Sequence, residues 1–126
     1  MRSPIFLIAL AGCAGMGPGP EAREQEAFAR DLQGRVAGEA RSCVPAVQNQ
    51  PLKVVDRSTI SYDRGDTIWV NRVDDCPGLR PFDTVIVEVH GSQFCRGDRV
   101  RTLETGSTIP GPICILRDWV PYRRAR

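Results

Sequence analysis

The chain has 126 residues, a quarter of them charged, with 17 Lys and Arg against 15 Asp and Glu and a formal net charge of +2. That length holds one domain at most. The near balance of charge argues against a dedicated nucleic-acid binder, which carries a basic stripe, and against a disordered acidic tail.

The chain opens MRSPIFLIALAGC. Ile5 to Ala11 is apolar, follows Arg2 and runs into small residues. It is far shorter than the ~20 residues a spanning helix needs, and Gly12, Gly15 and Gly17 break any helix beyond it. One positive charge, a short apolar core and small residues make a secretory signal. Its last four residues, Leu10-Ala11-Gly12-Cys13, resemble the bacterial lipobox, in which the cysteine thiol receives a diacylglycerol and the peptide is cut before it. The resemblance implies that residues 1–12 are a lipoprotein signal peptide and that Cys13 carries lipid. Two or three acyl chains, at ~0.8 kcal/mol per buried methylene, hold a protein stably to a bilayer. Ala14 rather than aspartate follows the cysteine, which in the lipoproteins this resembles implies the outer membrane of the bacterial cell envelope, facing the periplasm.

Residues 13–20 read as a flexible tether, since Gly and Pro pack poorly and forbid regular structure. A helix is expected over residues 21–40, where Phe28, Leu32 and Val36 recur at i, i+4 and i+8. Pro20 and Glu21 suit its start, and Gly34 and Gly38 weaken its second half. From residue 41 the texture changes to short runs rich in Val, Ile and Thr: PLKVV, TISY, TIWVNRV, TVIVEV, RVRTL and ICILRDW. Turn residues separate them, among them Asp56-Arg57-Ser58, Asp63-Arg64-Gly65-Asp66 and Cys76-Pro77-Gly78. In the fourth run Val85, Val87 and Val89 share one face, with Thr84, Ile86, Glu88 and His90 on the other. The expected fold is therefore mainly β, a small OB/SH3-like barrel or compact antiparallel sheet of short strands, preceded by one N-terminal helix.

Behind the leader four cysteines remain, Cys43, Cys76, Cys95 and Cys114. In an exported chain an even number reads as two disulfides. A metal site would want paired spacings and histidines, and His90 is the only histidine, so neither a metal nor an organic cofactor is expected. Pairing Cys95 with Cys114 fails on register. If Leu103 faces Ile113 in a hairpin, Cys114 lies opposite Thr102, and Cys95 is then about 23 Å away at ~3.3 Å per residue. A bridge needs Cα atoms within ~7 Å. Crossed or nested pairings remain. Cys43–Cys95 with Cys76–Cys114 is preferred, since each bridge joins segments that need not be sequence neighbours, and Cys43–Cys114 with Cys76–Cys95 stays open.

SCVPA, VVDRSTI, DCPGL, GSQFCRGDRVR and ICILRDWVPY occur in this order. The set resembles a family of small exported proteobacterial proteins known only as a domain of unknown function, over residues 38–122. The resemblance implies a compact exported domain and brings no catalytic residue or cofactor with it.

Candidate chemistry is sparse. Arg-Gly-Asp occurs at residues 64–66 and 96–98, each directly before a strand run, and reads as turn chemistry. His90, Ser92 and Asp98 supply the residue types of a hydrolase triad without the G-x-S-x-G elbow. Asp63, Asp66, Asp74 and Asp75 lack EF-hand spacing. At the C-terminus Arg117, Trp119, Tyr122, Arg123 and Arg124 form a candidate binding surface for anionic head groups, glycan or an acidic protein; the competing reading is a last strand with a solvated tail. The expectation is a lipid-anchored envelope protein acting as a non-catalytic binding or structural module, with a membrane through the N-terminal lipid, an envelope protein or a glycan as partner, and no nucleic acid. The alternatives are a small envelope hydrolase using His90 and an accessory subunit of an envelope complex that docks through the helix.

Overall fold

The structure, a computed structural model, describes residues 12, 15, 17, 19–48, 50–74 and 76–125. Cys13, the leader up to residue 11 and Asp75 lie outside the described residues. Among the described residues no helix is long and apolar enough to cross a membrane.

Helix α1 is Pro20–Leu32. Proline opens it, where the first N–H has no intrahelical acceptor to lose. Glu21 in the first turn and Arg30 in the last complement the helix dipole. The helix ends eight residues before the expected boundary at Ala40. The Gln33 N–H turns back to the Arg30 carbonyl, and Gly34 takes φ +74°, a left-handed conformation that closes a helix at little cost when no Cβ is present. The chain then enters strand β1 (Arg35–Ala37). Val36 thus leaves the helical stripe for an exposed strand position, while Phe28 and Leu32 are half-buried. Helix α1 packs against strand β3 (Lys53–Asp56), and Gln25 Nε2 donates to Asp56 Oδ2.

The main sheet is antiparallel throughout, in the order β1, β10 (Trp119–Arg124), β5 (Thr67–Asn71), β4 (Thr59–Arg64), β3. The β4–β5 hairpin turns on Gly65-Asp66, with Gly65 at φ +61° in the first central position, as a II′ turn requires. The first Arg-Gly-Asp triplet is this turn. The β3–β4 turn is closed by Asp56 Oδ1, which accepts the Ser58 N–H at 2.8 Å. Two smaller sheets complete the fold. Strand β2 (Cys43–Pro45) pairs with β7 (Gln93–Cys95), and β8 (Arg99–Leu103) lies between β6 (Thr84–Glu88) and β9 (Cys114–Ile115). The fold is mainly β, compact antiparallel sheets of short strands behind one helix, and it does not close into a barrel.

In β6 the side chains alternate as expected over its five residues. Val85 and Val87 pack on the core, and Thr84, Ile86 and Glu88 face outward. The run ICILRDW splits in two. Asn71, fully buried, donates through Nδ2 to the Arg117 carbonyl at 2.7 Å and accepts the Arg117 N–H at 2.9 Å. That two-bond clamp seats Arg117 on β5 between β9 and β10, so one continuous strand cannot form.

The core is shared by all three sheets. Trp119 and Tyr62 are both at 0% exposure. Tyr62 meets Phe94 of β7 edge-on, with ring centroids 5.4 Å apart, and Trp119 at 6.3 Å. The polar ends of both rings are satisfied by backbone. Tyr62 Oη accepts the Val47 N–H at 3.0 Å and donates to the Pro45 carbonyl, while the Trp119 indole N–H donates to the Phe94 carbonyl at 3.1 Å.

The disulfides are Cys43–Cys95 and Cys76–Cys114. The Arg96 N–H bonds the Ser42 carbonyl and the Ala46 N–H bonds the Ser92 carbonyl. Residues 43 and 95 therefore form a non-hydrogen-bonded pair, the closest approach in an antiparallel ladder, and their Cα atoms are 4.0 Å apart. The β8–β9 hairpin differs from expectation by two residues. Cys114 faces Val100, not Thr102. Pro110-Gly111-Pro112 does not loop away but lies along β8, with the Gly111 N–H on the Thr102 carbonyl at 2.8 Å. Cys95 lies beyond the turn at residues 96–98, on β7, where it is bonded to Cys43 across the β2–β7 pair, and Cys114 is taken by Cys76.

Non-reducing peptide mapping should return Cys43–Cys95 and Cys76–Cys114 linked peptides and no Cys95–Cys114 species. Replacing Cys43 and Cys95 together with alanine should lower unfolding free energy by about 2–4 kcal/mol in urea titration.

Candidate functional site at the start of the helix

The residues singled out in the sequence do not converge. The expected C-terminal surface is dispersed because β10 is an interior strand, and alternate residues of such a strand must face inward. Trp119 is core, not surface. Tyr122 is half-buried between Ala37 and Ile68 in the ladder. Arg123 holds its guanidinium 5.8 Å from the Trp69 ring centroid and donates through Nε to Thr67 Oγ1, and Arg41 sits over the same ring at 5.9 Å. Arg117 is ion-paired with Asp74. Of the five, Arg117, Arg123 and Arg124 are exposed, and Arg124 stands beside Arg35, its cross-strand neighbour.

The triad residue types are also apart in role. His90 and Ser92 are exposed between β6 and β7. Asp98 is buried, and its carboxylate accepts the Cys95 N–H at 2.7 Å within its own turn. The second Arg-Gly-Asp triplet is that turn, with Gly97 at φ +92°. Asp63 pairs with Lys53 at 3.2 Å and Asp74 with Arg117. Among the described residues no three His, Cys, Asp or Glu side chains are grouped to hold a metal.

The structure instead opens a cleft of about 700 Å³ where α1 begins. Its walls are Pro20 and Glu21 of α1, Arg57 of the β3–β4 turn, the segment 79–83 leading into β6, and Glu104 and Thr105 beyond β8. A second hollow of about 480 Å³ adjoins it, and Phe82 and Asp83 stand in both walls.

The base of the 76–83 segment is held hard. Cys76 is bridged to Cys114, its N–H bonds the Arg57 carbonyl at 3.1 Å, and Thr102 Oγ1 donates to the Gly78 carbonyl at 2.8 Å. Gly78 lies so close to Pro112 that a Cβ would come within 2.8 Å of the ring. The tip is different. Phe82 adopts φ +72°, the only positive φ of a non-glycine among the described residues, and leaves 71% of its surface exposed. Such backbone costs of the order of 1–3 kcal/mol for a bulky residue and clusters at functional sites.

Asp83 follows. Thr84 pairs with Leu103, which sets Asp83 and Glu104 against each other at the end of the β6–β8 ladder. Arg80 pairs with Glu104 at 3.0 Å. Asp83 Oδ2 is shielded from solvent without a hydrogen-bond partner. Burial lifts the Asp83 carboxyl above the ordinary carboxylate range, the Glu104 charge adds to the lift and Arg80 opposes it. An exposed aromatic, prolines and a mixed-charge rim around a cleft of ligand size suit non-covalent binding. The sequence marks only Cys76-Pro77-Gly78 here as a turn, and the one signal for the tip is an aromatic directly after proline in LRPFD.

No family model matches the chain, and neither a curated protein nor a solved structure matches it.

Because folding raises the Asp83 pKa, its ionised form is disfavoured in the folded state. The destabilisation is full above the folded-state pKa and vanishes below the unfolded value. Asp83→Asn should therefore raise the thermal midpoint at about pH 7 and leave it unchanged at about pH 3. A lowered midpoint at neutral pH would show that the carboxylate is well satisfied.

Proposed function

We propose that this chain is a lipid-anchored cell-envelope protein, held at the membrane through Cys13, whose β domain is a non-catalytic binding or structural module. The observation that carries the reading is the pair of disulfides in a small domain that follows a leader ending in the lipobox residues. Disulfides of this kind persist outside the reducing cytosol. The resemblance to small exported proteobacterial proteins belongs to the same proposal, as does an outer-membrane position facing the periplasm.

The cleft beside Phe82 supports binding rather than catalysis, since its wall offers an aromatic face and paired charges. The hydrolase reading gains nothing from the geometry, because Asp98 is committed to the Cys95 N–H. In the accessory-subunit reading α1 would dock through the face it leaves exposed, since it lies against β3 with Phe28 and Leu32 half-buried and no residue fully buried.

Intact mass of the membrane-extracted protein should show a chain starting at Cys13 with acyl mass added. A product starting elsewhere and free of acyl groups sinks the anchor. Cys13→Ser should accumulate as uncut precursor, and His90→Ala should leave cellular function intact; loss of function with normal protein levels would favour the hydrolase.

A further inference from the structure

The geometry points to the cleft end of the domain as its membrane-docking face, with Phe82 and Ile109 seated in the lipid head-group layer. This rests on the lipid-anchor reading and adds an orientation to it. Three observations meet at one end of the molecule.

The first is exposure. Ile109 at 78% and Phe82 at 71% are the two most exposed large hydrophobic side chains among the described residues. They stand on different loops, each lining a hollow that includes the Arg80–Glu104 pair. Ile109 lines a hollow of about 430 Å³ that shares Pro77, Arg80 and Glu104 with the cleft Phe82 lines. Single exposed hydrophobics are ordinary; two on separate loops, flanking one Arg–Glu pair, make an apolar rim around a polar centre. That is the pattern of a surface whose apolar tips enter the acyl boundary while charged groups stay among head groups.

The second is strain. The fold holds Phe82 outward through a left-handed backbone that a glycine would adopt freely. Nothing in the core needs the ring, which faces solvent. A costly conformation that presents an apolar side chain to water makes sense when the ring has somewhere apolar to go.

The third is the anchor's reach. Pro20 and Glu21 form part of the cleft wall, so the chain leading to Cys13 departs from this end. The seven residues from Ala14 to Pro20 span at most about 25 Å when extended. Helix α1 and strand β4 each run roughly 20 Å away from it, toward the Gly65 turn. A tether this short, rooted at the cleft, favours bringing Phe82 and Ile109 to the bilayer before the far end.

The test uses the membrane-extracted protein reconstituted into phosphatidylethanolamine–phosphatidylglycerol vesicles containing brominated phospholipid. Phe82→Trp, Ile109→Trp and Arg64→Trp are compared, the last at the opposite end of β4. The native Trp69 and Trp119 are buried and give a common background. Tryptophan at 82 and 109 should be quenched several-fold more than at 64. Equal quenching at all three positions, or stronger quenching at 64, overturns the orientation, and so does a lack of quenching at 82 and 109. Ile109→Trp, at a loop site without positive φ, keeps the test open if the Phe82 replacement does not fold. Mass at Cys13 is measured first. If no acyl group is present the anchor reading has failed on its own. The Cys13 thiol is then coupled to a maleimide phospholipid and the same three positions are read, with the same outcomes deciding the docking face.

Discussion

The burial of one side chain, Trp119, governs the rest of the structure. It opens the last strand, yet it sits at the meeting point of nearly everything before it. Its backbone exchanges two hydrogen bonds with Arg41, at 2.7 and 2.8 Å, and its indole N–H reaches across to the Phe94 carbonyl. Its ring meets that of Tyr62, whose hydroxyl in turn holds the backbone at Pro45 and Val47. Through these contacts the five-stranded sheet, the β2–β7 ribbon and the segment after β1 are locked to one another. The strand it begins lies between β1 and β5, so the main sheet is incomplete until the C-terminal residues are in place. Pairings this distant in sequence are slow to form, and a domain built this way gains from covalent staples.

The two disulfides serve different parts of that problem. Cys43–Cys95 joins two three-residue strands that bury little on their own. Cys76–Cys114 fixes the base of the loop that carries Phe82 and Asp83. The second bridge has a functional consequence. A loop anchored by a disulfide, a threonine–carbonyl bond and a glycine packed on proline can hold a strained tip without relaxing. Rigidity at Gly78 and strain at Phe82 are two ends of one device.

What the sequence made legible was periodicity and turn chemistry. The runs around Val54, Ile60, Trp69, Val87 and Val100 became strands because alternation and bounding turn residues act locally. The end of the helix was legible too, in Gly34, but the stripe continuing to Val36 outvoted it. The short strands β2 and β7 were hidden, since three residues carry no period and their pairing joins residues 52 apart in sequence. The tryptophan of the C-terminal segment misled most. RDWVPYRR has the composition of a surface, and only the topology, which seats it between two strands, shows that Trp119 is core and that Arg123 covers Trp69. The cleft was illegible for the same reason: its walls come from four separated segments.

Native-state hydrogen exchange read at Trp119 tests the central claim most directly. If this residue is the lock, its backbone and indole N–H should exchange only through global unfolding, with protection equal to that of the β4–β5 pair. Exchange of Trp119 through local opening, while Tyr62 and Trp69 amides stay protected, would show that the sheet stands without it and would contradict the account.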